Sequence, residues 1–186
     1  MLRITARSVV LLALCVVALV GCAGTAQPAT HLARRTTAIE TYLQQVEPIR
    51  LAVNRLLNHA DPIIAAYHDH RASPAQAGRR MGLLERRFAE YTVAVAAIEP
   101  ATAELRALHA PYAHTYVLED AYLSTLATGL ADRNLDDLPD TQAAQRAAII
   151  GWRTGLTVLA GRAGVPLPAD LQQAGRGEIA PSPAGR

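Results

Sequence analysis

The chain contains no lysine; all 18 of its basic side chains are arginine. That alone excludes a phosphate loop of the Walker type, whose lysine must reach the β- and γ-phosphates. Aromatic residues are scarce, at 4% of the 186 positions, and alanine supplies 37 of them. Such a composition disfavours sheet and favours helix. Neither sign of charge is in large excess, the formal net charge being +2. A nucleic-acid binder that depends on a strongly basic surface is thereby excluded. The hydrolase, metalloprotease and redox signatures G-x-S-x-G, H-E-x-x-H and C-x-x-C are missing. No glutamate has a histidine three residues later, which removes the Glu-x-x-His pairs of di-iron carboxylate proteins. Beyond Met1, Met81 is the only methionine, so a methionine-based copper carrier lacks its ligands. What is present is apolar bulk. At 51% hydrophobic the chain is too apolar to be disordered. Its length fits one domain, able to bury roughly 70% of its unfolded surface.

The N-terminus reads as an address. Arg3 and Arg7 open the chain, and Ser8 to Val20 is an almost unbroken apolar run. The run is too short to span roughly 30 Å of hydrocarbon but suits the apolar region of an export signal. It ends in Leu19-Val20-Gly21-Cys22, which resembles the lipobox of bacterial lipoproteins. The resemblance implies a diacylglyceryl group on the Cys22 thiol, cleavage just before Cys22, and acylation of the new amine. It also implies a protein anchored by lipid on the extracytoplasmic face of the cell membrane. The division expected from it is a signal peptide over 1–21, the lipidated cysteine with a tether over 22–30, a helical domain over 31–174 and a disordered tail over 175–186. Cys15 then leaves with the signal and Cys22 carries lipid, so the mature domain has neither a disulfide nor a free thiol. Loss of Arg3 and Arg7 leaves 16 arginines against 16 acids, a formally neutral domain.

Four helical stretches follow. Ile39, Tyr42, Val46, Ile49, Val53, Leu56, Ala60, Ile63 and Tyr67 alternate at spacings of 3 and 4, the pattern of one buried helical stripe. Thr37 and Glu40 have capping-box spacing at its start. Pro48 and Pro62 predict kinks or breaks, with Asp61 as a fresh N-cap before a proline at the first helical position. Ser73-Pro74-Ala75-Gln76 predicts the second start, and Met81, Leu84, Phe88, Tyr91, Val95 and Ile98 its stripe. The third runs from Leu105 to Leu130 with a kink at Pro111. Asp140 is expected to cap the fourth, whose stripe is Ile149, Trp152, Leu156, Leu159 and Ala163, stopped by Gly161 and Gly164. Val165 to Pro168 reads as an extended covering strand. The fold expected is all-α, an up-down four-helix bundle with kinked first and third helices. The mature part, most of all Ile98-Glu99-Pro100 with Leu105 and His109, loosely resembles helical-bundle lipoproteins of high-GC bacteria, a group that carries no assigned activity.

The strongest candidate site is His109, Tyr112, Tyr116 and Glu119. Their 3–4–3 spacing places all four on one face of the third helix, inside its apolar stripe. They form either a buried, self-satisfying polar network or the lining of a ligand or metal site. Glu119 in particular is expected to be buried and satisfied by a Tyr, His or Arg. A second cluster, His59, Asp61, His68, Asp69 and His70, reads as a helix C-terminus favoured by its dipole rather than a metal site, because His68 and His70 diverge on a helix. Asp132, Asn134, Asp136 and Asp140 imitate half an EF-hand loop, but Asp137 replaces its turn glycine and Ala143 its closing glutamate. Gly151 and Gly155 form G-x-x-x-G, expected to mark close approach of two helices. Arg79, Arg80, Arg86 and Arg87 are either a solvated face or a contact for anionic headgroups. Gly175 and Gly177 imitate a dinucleotide fingerprint without the strand it requires. No catalytic residue, metal or cofactor is expected. The function expected is a binding or scaffold module of the cell envelope, with an envelope protein as partner. The alternative is a small-molecule or metal carrier built on the His109 face.

Overall fold

A computed structural model describes residues 27–172. The expected signal, the lipobox cysteine and the 175–186 tail lie outside these residues. Among the described residues the chain is all-helical, with no strand. Its elements are α1 (Gln27–Leu57), α2 (Ala60–His68), α3 (Pro74–Ala96), α4 (Ala103–Asp132), α5 (Gln142–Ala163) and the short α6 (Ala169–Gln172).

Several starts differ from expectation. Helix α1 is helical from the first described residue, Gln27, which falls inside the expected tether, so Thr37 and Glu40 lie within the helix and form no capping box at its start. The helix continues through Pro48. The break falls at Asn58 and His59 instead, and α2 starts with His59 at its N-cap and no side-chain cap. Asp61 and Pro62 sit in the first turn of α2, where backbone N–H groups have no partner within the helix and a proline loses little. Asp140 does not cap α5; Thr141 holds that position without a capping bond. The capping box at α3 is present, with Ser73 N–H donating to Gln76 Oε1 at 2.9 Å and Gln76 N–H donating to Ser73 Oγ at 3.3 Å. Thr102 caps α4 through Leu105 N–H, and α4 passes through Pro111 unbroken. Gly164, at φ 69°, ends α5 in the left-handed conformation, whereas Gly161 lies inside the helix. Val165 to Pro168 is irregular and leads into α6, an element the sequence pattern did not announce.

The most extensive interface is α3 on α4, and α4 packs next on α5. Helix α1 contacts both α3 and α5, α2 leans on α3, and α6 on α5. The core is drawn from all the long helices and centres on Tyr42, Phe88, Leu105, Leu123, Leu126 and Trp152. Burying each such side chain stabilises the fold by about 1.5–3 kcal/mol. Along α1 and α2 the buried face turns by about one residue after Val46: Arg50, Val53 and Leu57 of α1 and Ala60 and Ile64 of α2 are buried, while Ile49, Leu56 and Ile63 are only half-buried.

Glycine explains how closely α4 approaches its neighbours. A Cβ on Gly78 would lie 2.8 Å from both Ala127 O and Ala131 Cβ, so α3 and α4 meet there almost backbone to backbone. On α5, only Gly155 marks a close approach, against Leu108 of α4; nothing lies within 4 Å of a Cβ at Gly151. The G-x-x-x-G pattern therefore contributes one tight contact rather than a seam.

Candidate functional site

Helix α4 turns His109, Tyr112, Tyr116 and Glu119 inward, and all four are buried. The stripe phase is therefore as the spacing implied. Tyr112, Tyr116 and Glu119 line one small cavity, whereas His109 turns away from it to Tyr42 of α1 and Val95 of α3.

His109 ends a chain of hydrogen bonds. Trp152 Nε1–H of α5 donates to the Tyr42 hydroxyl of α1 at 2.8 Å. The Tyr42 hydroxyl lies 3.1 Å from His109 Nδ1, and His109 Nε2 lies 3.1 Å from the Val95 carbonyl of α3. A carbonyl can only accept, so Nε2 carries the proton. Burial lowers the His109 pKa, so near pH 7 the imidazole is neutral and Nδ1 accepts from Tyr42. Burial raises the Tyr42 hydroxyl far above its ordinary range, so it keeps the proton it donates.

The bond to Val95 offsets only part of the downward shift of His109. The folded value lies below the unfolded one, so the unfolded chain takes up a proton first. Stability should be flat above about pH 6.5 and fall below it, by at most about 1.4 kcal/mol per pH unit for this one proton. Melts of wild type and His109→Gln between about pH 7.5 and 5.5 test this, the variant losing less stability on acidification. Parallel profiles would show that His109 does not carry the dependence.

Tyr112 stacks on Trp152, with ring centroids 4.1 Å apart and planes at 14°, and its hydroxyl lies 3.0 Å from that of Tyr116. Tyr116 stacks on Phe88 of α3. Glu119 meets α5: Gln145 Nε2 donates to its carboxylate at 2.9 Å and reaches the Thr115 carbonyl at 3.3 Å. Gln145 is a partner of Glu119 that the spacing on α4 does not point to. Burial and the Glu119 charge push the Tyr122 hydroxyl up to about 12.

The space along this face is small. Between Phe88, Tyr112, Tyr116, Glu119, Gln145 and Ile149 the cavity is about 20 Å³, room for roughly one water. A drug-sized ligand needs roughly 300 Å³ or more. Each polar group along the His109 chain already has a bond to another helix, so the arrangement joins helices. His109 also lines an open hollow of about 540 Å³ with Ile98, Glu99, Pro100 and Arg106, which Tyr112, Tyr116 and Glu119 do not line.

The other candidates are dispersed. His59, Asp61, His68, Asp69 and His70 are all exposed, His70 in the left-handed region at φ 56°, and Asp69 is held by Arg71 at 2.7 Å. Among the described residues no group of three or more His, Cys, Asp or Glu is placed to hold a metal. The 132–140 loop closes on itself: Asn134 Oδ1 accepts from Asp136 N–H and its Nδ2 donates to Asp137.

A charged cluster that the sequence pattern missed ties the end of the described chain to the core. Arg50 is 1% exposed and donates two bonds to Glu47, at 2.8 and 2.9 Å, and one to Asp170 of α6. Arg153 of α5, also buried, donates to the Asp170 carbonyl at 3.1 Å. Burial raises the Asp170 pKa, but the hydrogen bond and charge of Arg50 outweigh it, and the net shift is downward. Leu171 fills the core beside it.

Comparison of the chain with family models, characterised proteins and solved structures yields no match.

Proposed function

We propose that this chain is a lipid-anchored, extracytoplasmic module of the bacterial cell envelope that binds or scaffolds an envelope protein and performs no catalysis. The anchor rests on Leu19-Val20-Gly21-Cys22 and the charge and apolar run before it. No helix among the described residues is long and apolar enough to cross a membrane, so lipid on Cys22 supplies the attachment. Its architecture is an up-down bundle of α1, α3, α4 and α5, with Pro48 and Pro111 kinking the first and third. The contacts of α3 with α4, α4 with α5, and α1 with both α5 and α3 support that ring.

The observation that carries the module reading over the carrier reading is the closed interior. The cavity beside Tyr112, Tyr116 and Glu119 is about 20 Å³, too small for a carried molecule, and the open hollow of about 540 Å³ that His109 lines is lined by none of those three. Exposed apolar side chains such as Val117 on α4 and Val158 on α5 are open to a protein partner.

Cys22→Ser tests the anchor. The serine variant should lose its acyl mass and leave membranes washed at roughly 0.5 M salt, a wash that strips electrostatic contacts but not a protein held by two acyl chains. A serine variant that stays wholly with the washed membranes at an otherwise unchanged mass would refute the reading.

A further inference from the structure

Four of the arginines lie close together on α3: Arg79, Arg80, Arg86 and Arg87. At about 100° per residue they share an arc of roughly 120° with Leu83. All five are exposed, Leu83 at 58%. None of the four arginines makes an ion pair or hydrogen bond among the described residues, whereas Arg35, Arg50 and Arg71 are each paired with an acid. The flanking acids Glu85 and Glu90 leave them unpaired too. Exposed Glu90 falls on the same arc, at about 20° from Arg79, so the surface carries four arginines against one acid and keeps a net positive charge. Val93, 72% exposed, extends the apolar part of that surface along the same helix.

The neighbouring surface is apolar and hollow. Over the close contact of α3 with α4 at Gly78 runs a shallow open groove of about 610 Å³ lined by small residues, among them Ala75, Gly78, Gly82, Ala127 and Ala131. Arg79 and Arg86 stand on its rim with Leu83. Guanidiniums beside exposed leucine and a shallow apolar groove match one chemistry, an anion whose other end is hydrocarbon. Free phosphate has no use for Leu83 or the groove.

We propose that this face of α3 docks on an anionic phospholipid bilayer, with Arg79, Arg80, Arg86 and Arg87 on headgroup phosphates and Leu83 at the acyl boundary. Guanidinium suits the task because its planar fork meets phosphate through two bonds. The contact goes beyond the acyl anchor and does not depend on it. Since the patch runs along the side of a helix, a domain held by it lies along the bilayer.

The test places an indole at the contact. Full-length Leu83→Trp is bound to vesicles of phosphatidylglycerol or of phosphatidylcholine, each with brominated chains, and compared with wild type, whose Trp152 is buried. The added indole should shift to the blue and be quenched at least about twofold on phosphatidylglycerol only, and lose this at roughly 0.5 M salt. Adding Arg79→Gln, Arg80→Gln, Arg86→Gln and Arg87→Gln should abolish quenching while leaving the melt unchanged, since all four are exposed. Val158→Trp, an exposed apolar position on α5, should not be quenched. Absence of quenching on phosphatidylglycerol, equal quenching on phosphatidylcholine, equal quenching at position 158, or survival of quenching in the four-glutamine variant would each overturn the proposal. Failure of the Cys22 anchor would appear in the mass of the protein and not in this assay, so the two readings fail separately.

Discussion

Trp152→Ala is expected to destabilise the protein by about 3–5 kcal/mol. The side chain is 1% exposed and is the largest that the core encloses fully. Its removal deletes the stack on Tyr112 and leaves a gap bounded by α1, α4 and α5, which cannot all close at once. It also withdraws the N–H that the Tyr42 hydroxyl accepts at 2.8 Å. Trp152→Phe separates these effects. It keeps most of the stack and loses the donor, and should cost about 1–2 kcal/mol. Denaturant midpoints at unchanged slope give both values. Helical circular dichroism is the suitable probe, because Trp152 is the only tryptophan and the variants lose its fluorescence. An alanine variant within about 1 kcal/mol of wild type would mean that the interior relaxes around the missing ring.

Arg50→Ala should cost a similar amount, about 3–5 kcal/mol, the usual effect of removing one partner from a buried ion pair. The reason lies on the acid side of the cluster. The Glu47 side chain is only 14% exposed and loses its bidentate partner, whereas Asp170, at 52%, can return to water. The asymmetry gives a control. Asp170→Asn leaves Arg50 with Glu47 and should cost no more than about 1–2 kcal/mol. The depressed Asp170 pKa adds stability above its unfolded value near 3.9, lost as pH falls below that, a window well under that of His109. Hydrogen exchange over residues 165–172 should rise in both variants. Unchanged exchange and a melt equal to wild type in Arg50→Ala would show that the cluster does not hold α6.

The helices were legible wherever apolar spacing or a local cap decides. Met81, Leu84 and Phe88 lie on the predicted face, and the Ser73–Gln76 box closes as written. The inward turn of Glu119 was legible too, because the 3–4 spacing around it leaves a helix no other option. Starts were legible only in part. Thr37, Asp61 and Asp140 have capping chemistry, yet α1 extends upstream of the first, α2 begins just before the second and α5 after the third, because tertiary contacts outweigh a cap contribution of about 1 kcal/mol. Partners across the core were not legible, since sequence spacing places residues on a face and says nothing of the opposite face. Even so, Gln145 and Arg50 fall in phase with buried apolar residues, Gln145 four before Ile149 and Arg50 four after Val46. A polar residue in phase with a stripe was the available signal for both.

With His109 neutral, the chain from Trp152 through Tyr42 and His109 to Val95 admits only one placement of its protons, and it draws one group from each of α5, α1, α4 and α3. An apolar stripe built on alternating steps of 3 and 4 can slide by a turn, about 5.4 Å, and still bury leucine against leucine. The polar chain cannot, because that slip separates donor from acceptor and strands buried N–H and O–H groups. What these bonds confer is therefore register: they distinguish one alignment of the four helices from neighbouring alignments that the greasy interior alone would accept almost equally.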